Sequence, residues 1–345
     1  MSKKKRKPRF LIGFSNPSGM GTTYAKTLRE LGYQASYVSY WPHNFGYEKP
    51  NLDDFSLNLD KKPKIFRPFY VGIFFLKALF VYDVFFFLYG DTFWFIKSRY
   101  FPNLDLPILK LFGKKVAMAF VGCDIRKYRP DAYCCRGCQI KCNNSLKRNI
   151  ARGAEKYANL ILTRHACADF LTNKNYLRCW APLNLKKYKP NYIINRKPLI
   201  LHAPSDRGIK GTKYIQSAIT RLKKEGFQFR FKILENKSHD QVIRELNRAD
   251  IVVDSLFGGW YGIFAAESMA HGKVVLGYID PENIKQEKLI PPVISVNQGN
   301  IYKKLKQVLI MKPKARLILG KKARQFIENH HDERKIVLDI IEEIY

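Results

Sequence analysis

Residues 199–219 have the sequence LILHAPSDRGIKGTKYIQSAI, and residues 249–279 have the sequence ADIVVDSLFGGWYGIFAAESMAHGKVVLGYI. The first stretch opens with an apolar run, which a short polar loop separates from an amphipathic pattern that begins at Gly211. In the second stretch, the apolar run Ile251–Val253 precedes a glycine-rich turn and a further helical pattern from Gly262. Each stretch therefore predicts a strand, a loop and a helix, which is the repeating unit of a parallel α/β sheet.

Charged side chains in both units suit the binding of a nucleotide diphosphate. Arg207 and Lys210 lie between the first strand and its helix, where cationic groups can neutralise phosphate oxygens. The start of a helix adds backbone N–H groups and the positive end of the helix dipole, and both favour an anion. Glu267 lies on an otherwise apolar helix, IFAAESMA, and either binds a ribose diol or pairs with the helix dipole.

The remaining contacts to the nucleotide diphosphate are expected from polar groups and backbone amides of the same two units. The predicted residues of this site are His202, Ser205, Gly211, Thr212, Asp254, Gly262, Ile263 and Phe264. Trp260 and Tyr261 either flank a bound sugar or pack within the fold, and the sequence leaves both interpretations open.

These segments resemble the donor-sugar half of glycosyltransferase family 4, the retaining enzymes of the GT-B fold. In that family an Arg and a Lys precede a KG-type helix start, which Arg207 and Lys210–Gly211 match here, and Glu267 matches the second Glu of an E-x7-E element. The segments HAPS…KGT and VD…GWYG…E.MA.GK most resemble a bacterial polysaccharide-type branch. The first Glu of the element is replaced by Gly259, and Asp254 is a candidate to take its place.

The resemblance implies an α/β GT-B fold, with two Rossmann-like, doubly wound parallel-sheet domains that face a cleft. It also implies transfer of a sugar from a nucleotide-diphosphate sugar to a glycan or lipid-linked acceptor, in cell-surface polysaccharide synthesis. Arg207, Lys210 and Glu267 are the expected catalytic residues, since fixed cations stabilise the negative charge that builds on the leaving phosphate. No metal or other cofactor is expected for catalysis. The alternative is a degenerate GT-B protein that binds nucleotide or glycan without turnover.

The N-terminal part of the chain also alternates strands and helices. Arg9–Phe14, Thr22–Leu31 and Ala35–Tyr40 predict a strand, a helix and a strand, and hence a parallel sheet. We expect an acceptor-side domain over residues 1–185, with a hinge in the segment rich in Pro and Lys between Cys179 and Lys197. The nucleotide-sugar domain is expected over residues 186–330, and a last helix over residues 331–345 that crosses back to the first domain.

Two loops of the N-terminal domain are candidate acceptor-side segments. The loop NPSGMGTT contains Gly19 and Gly21, and VGCDIR lies just past a strand end, where parallel sheets place ligands. VGCDIR resembles a family HGSDIR segment in which the His is Val121 here, whereas Asp124 and Arg126 are retained. Asp124 either orients an acceptor hydroxyl or caps the next turn.

Five of the seven cysteines lie between Cys123 and Cys142, in one loop over residues 123–142. In a reducing cytosol such a cluster indicates a metal site more than a disulfide framework. The candidate ligands of a structural zinc are Cys134, Cys135, Cys138 and Cys142. Ordinary free thiols are the other interpretation.

The chain carries 61 Lys and Arg against 29 Asp and Glu, a net charge of +32. Such a charge favours a polyanionic partner, here an anionic membrane surface, unless it reflects compositional drift. No nucleic-acid-binding motif is present, so nucleic acid is not an expected partner. The N-terminus shows no signal peptide, and charges interrupt the aromatic stretch Phe69–Phe95, which predicts a helix and a buried strand rather than a membrane span. A membrane-facing helix over Phe69–Phe80 is the alternative. We therefore expect a cytoplasmic protein, peripheral at the inner face of the cell membrane.

Overall fold

A computed structural model of the chain describes residues 6–41, 54–93, 103–128, 142–192 and 195–345. The described residues form two units. The first combines the residues described up to Lys127 with Cys142–Pro182 and Glu333–Tyr345, and the second includes Leu183–Asp332. Each unit is built around its own parallel sheet.

The first unit contains seven strands within the described residues, and neighbouring strands are parallel throughout. They are β1 (Arg9–Phe14), β2 (Gln34–Ser39), β3 (Phe55–Ser56), β4 (Val84–Leu88), β5 (Lys115–Ala119), β6 (Leu160–Thr163) and β7 (Leu177–Arg178). Their order across the sheet is β3-β2-β1-β4-β5-β6-β7. The helices of this unit are α1 (Met20–Glu30), α2 (Arg67–Val81), α3 (Asp105–Leu111), α4 (Asn144–Tyr157) and α12 (Glu333–Ile344).

Helices cover both faces of the first sheet. Phe85 and Phe87 of β4 pack in one core cluster with apolar residues of α2, α3 and α4. The intervening Phe86 points to the opposite face, where its ring lies 4.8 Å from the ring of Tyr24 in α1. The last helix, α12, packs against α1 and against β5 and β6. Both faces of β4 are therefore apolar, which explains its uninterrupted VFFFL sequence.

The aromatic stretch that follows Phe69 forms helix α2 and then the buried strand β4, as the sequence predicts. Among the helices of the described ranges, none combines the length and the apolar character needed to cross a bilayer.

The second unit has a five-stranded parallel sheet of order β12-β11-β10-β8-β9 among its described residues. Its strands are β8 (Leu199–His202), β9 (Arg230–Ile233), β10 (Ile251–Val253), β11 (Val274–Gly277) and β12 (Ile294–Ser295). Its helices are α5 (Arg207–Lys210), α6 (Thr212–Lys224), α7 (His239–Arg248), α8 (Ile263–Ala270), α9 (Pro281–Glu287), α10 (Ile301–Ile310) and α11 (Pro313–His330).

The polar loop after β8 contains a helical turn, α5, that the sequence analysis did not anticipate. The Asp206 carboxylate caps this turn by accepting a hydrogen bond of 2.7 Å from the Ile209 amide. Gly211 ends α5 and begins α6 in the left-handed region, at φ 75°. A Cβ at this position would lie 3.0 Å from the Cβ of Leu256, so glycine suits both the backbone and the close approach.

The segment from Leu183 to Tyr192, where a hinge was expected, is attached to the second unit by several hydrogen bonds. The Leu183 amide donates to the carbonyl of His331, and the His271 ring bonds the carbonyl of Lys189. The buried Lys273 ammonium donates to the carbonyls of Asn191 and Asn247, at 2.8 and 2.9 Å. Burial lowers the pKa of Lys273 to about 8.

Helix α11 packs directly on the turn before β11, at a contact between two glycines. A Cβ on Gly320 would lie 2.1 Å from the carbonyl oxygen of Gly272, so α11 has no room for a side chain at this position. Gly153 in α4 is the contrasting helical glycine, since no atom lies within 4 Å of its would-be Cβ.

We expect Gly320→Ala to lower the free energy of unfolding by about 3 kcal/mol, because the new methyl group overpacks a backbone contact. Gly153→Ala is the matched control and should raise the free energy of unfolding by roughly 0.5–1 kcal/mol, through helix propensity alone. Urea denaturation of both variants measures the two changes. A neutral or stabilising Gly320→Ala would contradict the close contact of α11.

Candidate functional site

The strand order of the second sheet reverses between β8 and β10, which are adjacent in the sheet and both run in the same direction. The segments that follow their carboxyl ends therefore lie side by side. Ligands of open parallel sheets bind at such a position. Helix α5 and Gly211 follow β8, whereas Asp254 and the glycine-rich turn before α8 follow β10.

An ion pair joins these two segments. The ammonium of Lys210 lies 2.6 Å from Oδ1 of Asp254, and the carboxylate side chain is only 3% exposed. The amide of Leu256 also donates to the Lys210 carbonyl, at 3.2 Å. Because an unpaired carboxylate would be costly at this degree of burial, Asp254 requires its partner.

The N-terminus of α8 lies next to this ion pair. Gly262 is the N-cap residue of α8, and a Cβ on it would lie 3.7 Å from Oδ2 of Asp254. The helix has no side-chain cap, and the amides of Gly262, Ile263 and Phe264 have no hydrogen-bond acceptor among the described residues. Free amides at a helix N-terminus are suited to bind an anion.

Arg207 makes a two-pronged ion pair at the surface. Its Nε and Nη2 donate to the two carboxylate oxygens of Glu235, at 2.7 and 2.6 Å. The hydrogen bonds raise the pKa of Arg207 and lower the pKa of Glu235. The Arg207 side chain remains 58% exposed, so solvent screens the pair and a stronger anion can compete for the guanidinium.

Glu267 is buried in α8 and its carboxylate is held by two side chains. Its Oε1 accepts a hydrogen bond from the Tyr188 hydroxyl at 2.9 Å and lies 2.6 Å from Nε2 of His239. Within the described part of the chain, Oε2 forms no hydrogen bond to protein. The carboxylate is therefore fixed in position by one oxygen, while the other remains for a ligand.

The predicted donor residues around α6 divide into surface and interior positions. His202 is fully buried, and its two ring nitrogens lie 2.8 Å from the Val253 carbonyl and 2.9 Å from the Thr212 hydroxyl. Burial lowers the pKa of His202. Both His202 and Thr212 thus lie inside the fold and tie β8 to β10 and α6, which leaves neither side chain exposed to a donor. Ser205 is exposed, and Gly211 is buried behind Leu256.

Gly259, at the position of the first family Glu, is confined by its surroundings. Its backbone is left-handed, at φ 76°, and a Cβ would lie 3.0 Å from Nδ2 of Asn283. Its carbonyl accepts hydrogen bonds from the amide of Asp280 and the side chain of Asn283, at 2.9 and 2.7 Å. A glutamate would therefore be strained at this position, both by its backbone conformation and by lack of space.

Trp260 and Tyr261 pack within the second unit. The Trp260 side chain is buried, and its ring lies 5.4 Å from that of Tyr261. The Tyr261 hydroxyl lies 2.9 Å from Nε2 of His331, and its ring meets Phe326 of α11 edge-on. These contacts favour the packing interpretation of both residues.

The first sheet reverses its strand order between β1 and β4, and polar groups follow both strand ends. The Ser15 hydroxyl donates to the Asp91 carboxylate. Nearby, the two carboxylate oxygens of Asp124 accept hydrogen bonds from the amides of Val121 and Gly122, at 3.0 and 2.7 Å. This is the turn-capping geometry. Desolvation, with a smaller contribution from the charge of Asp91, raises the pKa of Asp124 to about 6.

The other acceptor-side candidates also have local contacts. The Gly21 amide donates to the side chain of Asn16 at 2.8 Å, and a Cβ on Gly21 would lie 2.6 Å from the ring of Tyr37. Gly19 is left-handed, at φ 79°, at the start of α1. Arg126 Nη2 donates to Cys123 Sγ at 3.3 Å.

The predicted zinc ligands Cys134, Cys135 and Cys138 lie outside the described residues. Cys142 is described and is half-buried. The zinc site therefore stays a prediction.

The structure adds functional candidates that the sequence analysis missed: Asp91, Tyr188, Glu235 and His239. Asp91 follows a strand end as Asp124 does, so its position was a usable signal. Tyr188 and Glu267 are 79 residues apart, and nothing in the local sequence of either residue indicates their hydrogen bond.

No protein-family model matches the sequence, and no curated protein is significantly similar to it. Solved structures are nevertheless similar over nearly the whole chain. HepE from Anabaena, in complex with UDP and glucose, has 12% identity and a TM-score of 0.66, with 98% of this chain and 99% of that chain covered. Sucrose-phosphate synthase from Thermosynechococcus elongatus has 13% identity and a TM-score of 0.68, with 98% of each chain covered.

A third similar structure is an α-glucosyltransferase in complex with UDP and a 13-mer DNA that contains an HMU base. It has 10% identity and a TM-score of 0.61, with 97% of this chain and 99% of that chain covered. These similarities confirm the predicted α/β fold: the chain has the GT-B fold of nucleotide-sugar glycosyltransferases.

We expect Lys210→Ala to lower the free energy of unfolding by about 3 kcal/mol, because it leaves the buried carboxylate of Asp254 unpaired. Arg207→Ala is the control and should cause no measurable change, since its pair with Glu235 is exposed to solvent. Urea denaturation without ligand measures both. Equal losses of unfolding free energy in the two variants would contradict the difference between the buried pair of Lys210 and the exposed pair of Arg207.

Asp124→Asn tests the raised pKa of Asp124. A raised pKa means that the folded protein binds the proton more tightly than the unfolded chain, so the wild type loses stability as the pH rises from about 4 to about 6. The free energy of unfolding of the variant, relative to that of the wild type, should therefore rise over this range. Denaturation at several pH values measures the difference in free energy of unfolding between the variant and the wild type. The pKa of the buried Asp105 is also raised to about 6, but Asp105 is present in both proteins, so its contribution cancels in this difference. A constant difference would show that Asp124 does not titrate there.

Proposed function

We propose that the chain is a retaining glycosyltransferase of family 4, in the bacterial polysaccharide-type branch. It would transfer a sugar from a nucleotide-diphosphate sugar to a glycan or lipid-linked acceptor, in cell-surface polysaccharide synthesis. The observation that carries the proposal is the group formed by Lys210, Asp254 and the free amides of α8 at the switch point of the second sheet. The co-crystallised UDP and glucose of HepE support this class of donor.

Lys210 can bind a phosphate without losing its contact to Asp254. An ammonium group has three N–H donors, and the described contacts of Lys210 use one of them for Oδ1 of Asp254. Asp254 thus acts as the anchor of the ammonium, while the remaining donors and the α8 amides bind diphosphate oxygens. In this division of roles Asp254 acts on the diphosphate through Lys210.

Arg207 supplies the second cation by exchanging partners. Its bond to Glu235 is exposed and therefore weak in water, so a diphosphate with two negative charges displaces the carboxylate at low cost. Negative charge grows on the leaving phosphate as the bond to the sugar breaks, and the two cations then bind more tightly than in the ground state. With these cations in place, we propose transfer that requires no metal or other cofactor.

Glu267 completes the donor site by binding the ribose. Tyr188 and His239 fix Oε1, so Oε2 is the oxygen that accepts hydrogen bonds from the ribose hydroxyls. The two neighbours are positioning residues, since they act through the carboxylate.

The net charge of +32 supports an anionic membrane surface as the partner, with the enzyme in the cytoplasm and peripheral to the inner face of the membrane. Nucleic acid remains outside the proposal, although the α-glucosyltransferase of similar fold was crystallised with DNA.

A GT-B protein that binds nucleotide or glycan without turnover is the second candidate. Its support is Gly259, where the chain lacks the family glutamate and where Asn283 and Asp280 leave no room for one.

Thermal unfolding with UDP, GDP, ADP and dTDP tests the donor site. We expect one nucleotide to raise the Tm, and we expect Lys210→Ala to abolish that shift because it removes an anchored cation. Lys224→Ala is the matched control. Lys224 is exposed at the C-terminal end of α6, roughly 18 Å along the helix axis from Thr212, and its loss should leave the Tm shift unchanged.

Hydrolysis of the corresponding nucleotide sugar then separates the two candidates. Slow release of the sugar, lost in Glu267→Ala, supports the transferase. A Tm shift without hydrolysis or transfer supports the protein without turnover, and the absence of any nucleotide-dependent shift contradicts both.

A further inference from the structure

Helix α2 of the first unit is apolar on two opposite sides. Its inner side, with Val71, Phe75, Ala78 and Leu79, packs into the core against the sheet. Its outer side is not covered by the described residues and carries Phe69, Tyr70, Ile73, Leu76 and Phe80, and Phe66 lies directly before the helix on the same side. We call these six large apolar or aromatic residues the outer face of α2.

The outer face of α2 is well exposed, and Lys77 lies among its apolar residues. At about 100° per residue its members fall within an arc of roughly 120° along one side of the helix. Their exposed fractions range from 41% for Tyr70 to 74% for Phe80. The three phenylalanines alone expose roughly 400 Å², as much as the largest apolar patch of a typical soluble monomer. A helix that is apolar all round normally has both sides covered.

The charges around this face are mainly basic. Between residues 60 and 81 the chain carries five basic side chains, Lys61, Lys62, Lys64, Arg67 and Lys77, against one carboxylate, Asp60. The next carboxylate along the chain, Asp83, is already paired with Arg6 and Arg9.

Two cation–π contacts place aromatic residues and basic groups together at the start of α2. The Lys62 ammonium lies 4.8 Å from the centre of the Tyr70 ring. The Arg67 guanidinium lies 5.8 Å from the Trp41 ring, which is itself partly exposed. Trp and Tyr beside Lys and Arg, at the rim of an apolar surface, form the composition that favours the boundary between water and lipid.

We propose that the outer face of α2 docks into the surface of an anionic bilayer. The helix is 15 residues and so about 22 Å long, and it would lie in the plane of the membrane with its phenylalanines among the upper acyl chains. Lys62, Lys64 and Lys77 would then lie at the level of the lipid phosphates. This docking deepens the proposed function, on which it rests for the membrane as a partner, by naming the surface that binds it.

The apolar character of the face favours lipid over the other anionic partner of a basic protein. A nucleic acid is bound mainly through phosphate contacts and base stacking, which would leave most of a broad apolar surface exposed to water. A second copy of this chain would bring the same five basic side chains against themselves, which like-charge repulsion disfavours.

Flotation of the full chain with vesicles tests the proposal. We expect binding to vesicles of phosphatidylglycerol and phosphatidylcholine, at least tenfold weaker binding to phosphatidylcholine alone, and weakening by salt. Phe69→Ser/Phe80→Ser should reduce binding to the anionic vesicles by about tenfold or more, because two inserted rings are lost. Ile290→Ser/Ile310→Ser, at equally exposed apolar positions of the second unit, is the matched control and should bind as the wild type does.

Tryptophan fluorescence with acyl-chain-brominated lipids locates the inserted residue. The added emission of Phe80→Trp should be quenched, whereas that of Ile310→Trp should not. Several results would overturn the proposal: no vesicle binding by the wild type, undiminished binding by Phe69→Ser/Phe80→Ser, or a loss in this variant confined to dimerisation or to binding of a DNA duplex.

The nucleotide-induced Tm shift, measured on the same samples, separates the two proposals. If vesicle binding depends on the outer face of α2 but no nucleotide raises the Tm, the docking proposal is supported and the proposed donor site is contradicted. A nucleotide response without vesicle binding removes the docking and leaves the donor site in place.

Discussion

The second unit depends on one ion pair between segments that are 44 residues apart in sequence, Lys210 and Asp254. The sheet brings β8 and β10 side by side, but a sheet alone would leave the two following segments free to diverge. A buried carboxylate prevents this, because separating it from the ammonium would leave a charge without solvent or partner. The pair therefore holds the end of α5 close to the start of α8, and the candidate diphosphate site lies where these two segments meet.

Ionic contacts in this unit differ in strength according to their exposure. Lys210 is anchored, Arg207 is paired at the surface, and Glu267 is held by the Tyr188 hydroxyl and the His239 ring. Both cations lie in the single helical turn α5, so a ligand there meets the anchored ammonium of Lys210 and the movable guanidinium of Arg207. The first unit presents its positive charge differently, on the solvent side of α2, where it is combined with apolar surface instead of with carboxylates.

The strands and most helices could be predicted from the sequence because their signals are local. The apolar runs of β8 and β10, and the glycines before α6 and α8, are sufficient to place these elements. The partners of the site residues could not be predicted, since Glu235, His239 and Tyr188 reach the site only through the fold. The interior position of His202 was also missed, because a histidine at a strand end looks the same whether it turns toward solvent or into the core. Helix α5 was missed because it depends on a cap by Asp206, which looks like an ordinary loop residue in the sequence.

The return of the chain to its first unit has a consequence for biosynthesis. Helix α12 covers α1, β5 and β6, and its residues are the last of the unit to leave the ribosome. Until then, one side of the first sheet, with Phe86 and Tyr24, lacks part of its cover. The N-terminal half therefore cannot finish folding while it is being translated, and it must wait, partly open, for the whole of Leu183–Asp332 to be made. A premature stop near residue 332 would therefore damage the half of the protein that was synthesised first.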